Sequence, residues 1–239
     1  MKGQAVFTFM FRRFLPDWGW LLVIYPGLYI GYAGVSALFT QRAGHVPDVL
    51  WAPYLIMLIV GLLLAGTWTT TALQLGADRP SIGLALSTVL ILGSVIVVAF
   101  FTIVQALLGL LPFVHVDAWQ VFQRAYGTAL ANAGMKTAVF TALRILIAIA
   151  IGFFGAVMIT LTRFAISRWL APVLTFLIIA GLPYTVYRTN GAISNILFGL
   201  HPGTPNSPWP ALITASISCL LWGALYAVLV FHLQLRREN

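Results

Sequence analysis

The sequence predicts an all-α polytopic membrane protein. It would have six transmembrane helices, an amphipathic interfacial helix before them, and an external re-entrant hairpin between helices five and six. Three observations carry that prediction. Only 8% of the 239 residues are charged while 61% are apolar, too little charge for a water-soluble domain of this size. The mean hydropathy is +0.97, that of a chain whose solvent is mostly lipid. Six apolar runs are each long enough to cross a hydrocarbon core of roughly 30 Å.

The elements follow in order. Residues 1–15 mix Lys2, Arg12 and Arg13 with Val6, Phe7, Phe9, Met10, Phe11 and Phe14. That pattern predicts a helix lying in the interface, with Phe rings in lipid and cations toward headgroups. It shows no cleavable signal-peptide pattern. The spans are 18–39, 53–75, 82–111, 137–161, 169–187 and 211–235, within one transmembrane domain over 1–239. Each has to be helical, because lipid offers no partner to a backbone N–H or C=O. The third is the longest and has to tilt, bend or project. Pro26, Pro172 and Pro183 lie inside spans and predict kinks. Gly27 and Gly31 form a G-x-x-x-G pattern, a close-packing face and a candidate subunit interface. Two external gaps are rich in apolar residues. His115 to Lys136 carries Trp119, Val121, Phe122 and Tyr126. Arg188 to Pro210 carries Ile193, Ile196, Leu197, Phe198 and Leu200 and then Pro202-Gly203-Thr204-Pro205. The second reads as a short helix stopped by a Pro/Gly turn, dipping into the outer leaflet.

Direction follows from the cations. With the amino terminus inside, Lys2, Arg12, Arg13, Arg79, Arg163, Arg168, Arg236 and Arg237 are cytoplasmic. Arg42, Arg124, Lys136 and Arg188 are external, and Arg144 is inside a span. The excess inside predicts a multi-pass protein of the cell membrane with both termini cytoplasmic. Trp18, Trp20, Trp51, Trp169 and Trp209 fall near predicted interfaces, where amphipathic rings are at home. The net charge of +8 belongs to these helix edges. The cations form no stripe, so nucleic acid is not expected as a partner, whereas membrane lipids are.

The chemistry absent from the sequence narrows the function. There is no G-x-x-x-x-G-K-[ST], and Lys2 and Lys136 are the only lysines, so the chain is no P-loop ATPase. Asp17, Asp48, Asp78, Asp117 and Glu238 are the only acids, all outside the apolar cores. A proton- or sodium-coupled carrier usually needs a carboxylate within the membrane. His45, His115, His201 and His232 share no metal-ligand spacing, and Cys219 is the single cysteine. No G-x-S-x-G elbow and no carboxylate pair occurs. No catalytic residue, metal or cofactor is expected, and the chain does not read as an enzyme.

The turn after the second span is the most informative segment: Ala72-Leu73-Gln74-Leu75-Gly76-Ala77-Asp78-Arg79-Pro80-Ser81-Ile82-Gly83. It resembles the permease subunits of ABC exporters in the type-2 ABC transporter permease family. In many of those the second span ends in a leucine-rich stretch, then Gly, a small residue, a polar residue and Arg, before a hydrophobic third span. Here those positions are Leu73, Leu75, Gly76, Ala77, Asp78 and Arg79. The wider layout agrees over nearly the whole chain: an interfacial helix, six spans, both termini inside, and the longest external hairpin between spans five and six. Pro80 departs from the pattern, where many members have a second Arg or another polar residue. The resemblance implies a half-transporter that pairs with a second copy or a related permease and encloses a path. It also implies a separate ATP-binding cassette subunit that docks on Gly76, Ala77, Asp78, Arg79 and Pro80. Arg163 and Arg168 would lie on the second cytoplasmic loop beside that turn.

Three further positions stand out. Arg144 lies eight residues past Lys136, about 12 Å along a helix. It either snorkels to the outer headgroups or meets an anion or lipid headgroup on the pathway. Thr67 and Thr71, with Thr69 and Thr70, either line a polar path or bond to carbonyls of their own helix. The alternatives to a permease are a secondary transporter or channel without an ATPase partner, and a membrane-embedded enzyme or accessory protein.

Overall fold

The computed structural model describes residues 4–12, 52–108, 132–164, 192–199 and 206–231, the backbone of two short strands, and single positions between them. The predicted spans 18–39 and 169–187 fall outside that set, apart from isolated residues.

Residues 4–12 form α1. Its Val6 and Met10, one turn apart, are fully buried in the common apolar core. Phe7 and Phe11 stack at 5.6 Å between ring centroids and are only partly buried, while Arg12 is exposed. The face that docks is therefore Val6/Met10. The Phe residues, expected to be the anchoring face, flank it.

Among the described residues, four helices are long and apolar enough to cross a membrane. α2 runs Ala52–Gln74, α3 Arg79–Leu108, and α4 Ala133–Phe164. After the short α5, Ala192–Phe198, α6 runs Trp209–Phe231. They correspond to the predicted spans 53–75, 82–111, 137–161 and 211–235. α3 begins three residues early because Asp78 starts it, and α4 is longer than expected at both ends. α2 holds a π-helical turn, Leu64–Trp68. There the Thr69 N–H reaches back to the Leu64 carbonyl, and the Thr69 hydroxyl donates to that same carbonyl at 2.9 Å. The hydroxyl gives that carbonyl a second donor within the widened turn.

α4 is the central helix and packs on α2, α3 and α6. Arg144 of α4 meets Thr102 and Gln105 of α3, whereas Gly152 meets Leu90, so α3 and α4 are antiparallel. Cys219 of α6 lies on the Leu146 carbonyl and Gly223 on Phe153, so α4 and α6 are parallel. α2 shares their direction through its tight turn to α3. The predicted fifth span, 169–187, lies between α4 and α5, outside the described residues apart from Val173.

The α2–α4 crossing is a backbone contact. A Cβ at Gly61 would fall on the Gly152 carbonyl oxygen, and one at Gly155 would stand 2.6 Å from the Leu58 carbonyl oxygen. Small residues give such close approach between apolar helices.

Two features differ from expectation. Gly44–Val46 (β1) and Val114–Val116 (β2) pair in parallel, with His45 opposite His115, so the helical fold carries one short bridge. The helix predicted for the 188–210 gap ends earlier than its Pro/Gly turn. Gly199 at φ +65 stops α5, and the Ser207 N–H returns to the Gly199 carbonyl at 3.0 Å.

Candidate functional site

The turn between α2 and α3 is fixed from both sides. Gly76 has φ +78, which an L side chain rarely adopts. Its N–H bonds the Leu73 carbonyl at 3.0 Å, and the Ala77 N–H bonds the Ala72 carbonyl at 2.9 Å. That 5→2 and 6→1 pair closes α2, with buried Ala77 beside buried Ala72. Asp78 then opens α3. Its Oδ2 accepts the Ser81 N–H at 3.1 Å and the Ser81 hydroxyl at 2.8 Å, an N-cap. These bonds hold the Asp78 carboxyl below its ordinary pKa. Pro80 sits in the first turn of α3, where no N–H is required. Arg79 Nη1 donates to the Phe231 carbonyl at 3.3 Å, placing a cation on a C-terminal carbonyl of α6. The five residues read from the sequence thus form one unit tied to three helices. Arg163 falls in the last turn of α4, at the same end of the bundle. Its side chain, and all of Arg168, lie outside the described residues.

Arg144 occupies the other end. It does not snorkel. It is 2% exposed, with Nη1 donating to Gln105 Oε1 at 3.0 Å and to Thr102 Oγ1 at 3.3 Å. Its guanidinium carbon lies 5.3 Å from the Phe140 ring centroid. Amide, hydroxyl and ring face all favour a buried guanidinium without neutralising it. The Nε2 of Gln105 is enclosed with no hydrogen-bond partner among the described residues. Gln105, Thr102 and Phe140 were not singled out from the sequence. The signal was there for Gln105, the sole amide of span 82–111.

The threonines turn inward to their own helix. Thr71 Oγ1 donates to the Thr67 carbonyl at 3.0 Å, and Thr70 Oγ1 to those of Gly66 and Thr67 at 3.0 and 2.7 Å. Thr67 itself is exposed. Buried Tyr226 of α6 sets its hydroxyl beside Thr69, without a well-formed hydrogen bond among the described residues.

Over the Arg144 end lies an aromatic cap. Phe122, Tyr126 and Phe140 cluster with Leu130, Val139 and Ala211. Tyr126 donates its hydroxyl to the Phe198 carbonyl at 2.6 Å, Asn206 its amide to the Ala125 carbonyl at 2.8 Å, and Thr214 its hydroxyl to the Leu197 carbonyl at 3.0 Å. Burial raises the Tyr126 pKa, so this phenol stays a donor. The cap joins residues of the 115–136 and 188–210 gaps to α4 and α6.

Compared with known proteins, the chain matches no family model, no curated protein and no solved structure.

Proposed function

We propose that this chain is the membrane-spanning permease subunit of an ATP-driven ABC exporter. It forms the substrate path with a second copy or a related permease and is driven by a separate ATP-binding subunit. It resides in the cell membrane with both termini cytoplasmic. The observation that carries the reading is the construction of the Gly76–Pro80 turn. A coupling element has to pass a displacement from a partner to the helices without yielding. This turn is stopped by a positive-φ glycine, capped by Asp78 and tied by Arg79 to the end of α6. A partner ATPase whose two nucleotide states contact the turn differently would shift α2, α3 and α6 together. The described positions of predicted span 18–39 support pairing. Gly27 and Gly31 are exposed, and a Cβ at either meets nothing within 4 Å among the described residues.

The test is purification in mild detergent followed by an ATPase assay. A nucleotide-binding subunit should co-purify. Arg79→Ala should lower transport-coupled ATP hydrolysis about tenfold, the loss of one charge-assisted contact, while insertion is unchanged. A secondary transporter or channel is the second reading, favoured by a cationic polar site inside the bundle. Recovery of the chain alone, with transport unaffected by removal of every candidate ATPase, would select it.

A further inference from the structure

Between the first two turns of α3 and the last turn of α6 lies an open groove of about 270 Å³. Its walls are Gly83, Leu84 and Ser87 on one side and Ala227, Val230 and Phe231 on the other, and Arg79 stands at its end. The walls are apolar and accessible: Leu84 is 72% exposed and Phe231 58%. From Arg79 to Ser87 the groove extends eight residues, about 12 Å along α3. Arg79 is partly buried and gives one donor to the Phe231 carbonyl. A guanidinium carries five, and among the described residues no carboxylate lines the groove. The neighbouring Asp78 carboxylate is engaged by Ser81.

We propose that this groove binds one anionic phospholipid from the leaflet beside the Gly76–Pro80 turn. The phosphate meets Arg79, and the first part of one acyl chain lies between Leu84 and Ala227. A cation fixed at the end of an apolar trough, on a helix pair at the membrane edge, matches the charge and the amphipathy of such a lipid. A soluble anion would use the arginine and leave the trough empty. A second protein helix would fill the trough and leave the arginine without a counter-charge. The site depends on the membrane reading of α3 and α6 and is independent of the ABC reading. Its consequence is a lipid wedged between two helices that the turn holds together, so that the lipid tunes how α3 and α6 move relative to each other.

Native mass spectrometry of the full chain tests this. Detergent micelles would carry equal amounts of dioleoyl phosphatidylglycerol and dioleoyl phosphatidylcholine. The expected result is one phosphatidylglycerol retained per chain, favoured about tenfold over phosphatidylcholine, as for one charge-assisted contact. Arg79→Gln should abolish that preference and Arg79→Lys should keep most of it. Ala227→Phe fills the trough from exposed α6 without touching the cation, and should lower retention of both lipids. It decides the matter if Arg79→Gln does not fold. Equal retention of phosphatidylglycerol by wild type, Arg79→Gln and Ala227→Phe would overturn the proposal. Displacement of the lipid by millimolar inorganic phosphate would also overturn it, assigning the arginine to a soluble anion. So would a dimer that forms without lipid and is lost in Ala227→Phe, which would assign the groove to a second copy.

Discussion

At Arg144 a full charge sits inside an apolar bundle, and its described partners are an amide oxygen, a hydroxyl and a ring face. Removing one side of such a contact leaves the other enclosed and unsatisfied, which costs about 1–3 kcal/mol. Arg144→Met and Gln105→Leu should each lower stability in that range. The double variant should lose less than the sum of the two, with a coupling of about 0.5–1.5 kcal/mol. Unfolding titrations in mixed micelles measure this; additive losses would show that the pair does not act as a unit. Asp78 is a different case, an exposed cap. Its pKa is lowered by Ser81, so the folded state prefers the carboxylate. The stabilisation is complete above the ordinary value of 3.8 and is lost as pH falls through the lowered one. The Cα chemical shifts of Ser81 and Ile82 should drift toward coil values in acid, and Asp78→Ala should show that drift at neutral pH. Arg144 was conspicuous in the sequence as the one charge within a span. Its burial was not readable, because whether a long side chain snorkels depends on which helix lies beside it. Asp78, three residues before Ser81, was legible only as part of a motif. Its role as a cap emerged from hydrogen bonds between neighbours.

The helices themselves were largely written in the hydropathy. Four of the predicted spans reappear as α2, α3, α4 and α6, and at the α2–α3 turn capping by Gly76 and Asp78 sets the boundary. Periodicity gave no warning of the π-turn at Leu64–Trp68. It widens the helix by one residue within an apolar run whose pattern is unchanged. Nor did it show which of many glycines bring backbones together. Gly61 does so against Gly152 and Ala156, and Gly155 against the backbone of Leu58 and Leu62, a pairing no single span reveals. Gly61→Ala should therefore lower stability by about 1–3 kcal/mol through overpacking. Gly134→Ala, with open space around it, should be neutral or mildly stabilising. Thermal melts in detergent compare the two, and equal melting temperatures would mean that the α2–α4 contact relaxes freely. β1 and β2 were missed for a simpler reason. Three-residue strands from loops about 70 residues apart leave no periodic trace.

For the whole molecule, among the described helices α2, α4 and α6 run one way and α3 the other. Cysteine labelling in a Cys219→Ser background checks this. Ser207→Cys, beside the start of α6, should react with an impermeant reagent from one side of the membrane. Gln74→Cys, at the end of α2, should react only from the other. The basic residues predict that the first side is external. Reaction of both from the same side would break the threading.

The crossing of α2 and α4 has a mechanical consequence. Backbones in contact at Gly61 and Gly152 cannot slide past one another, but they can pivot, so the crossing is a fulcrum. The arm from Gly61 to Gly76 is about 22 Å long, and the arm from Gly152 to Arg144 about 12 Å, at 1.5 Å per residue. If α2 tilts against α4, a sideways shift at the Gly76–Pro80 turn reaches the Arg144 level in the opposite sense and at roughly half the size. The π-turn begins three residues from the fulcrum on the longer arm. A strained lever bends first where its grain is irregular, so Leu64–Trp68 sets how much of that stroke arrives.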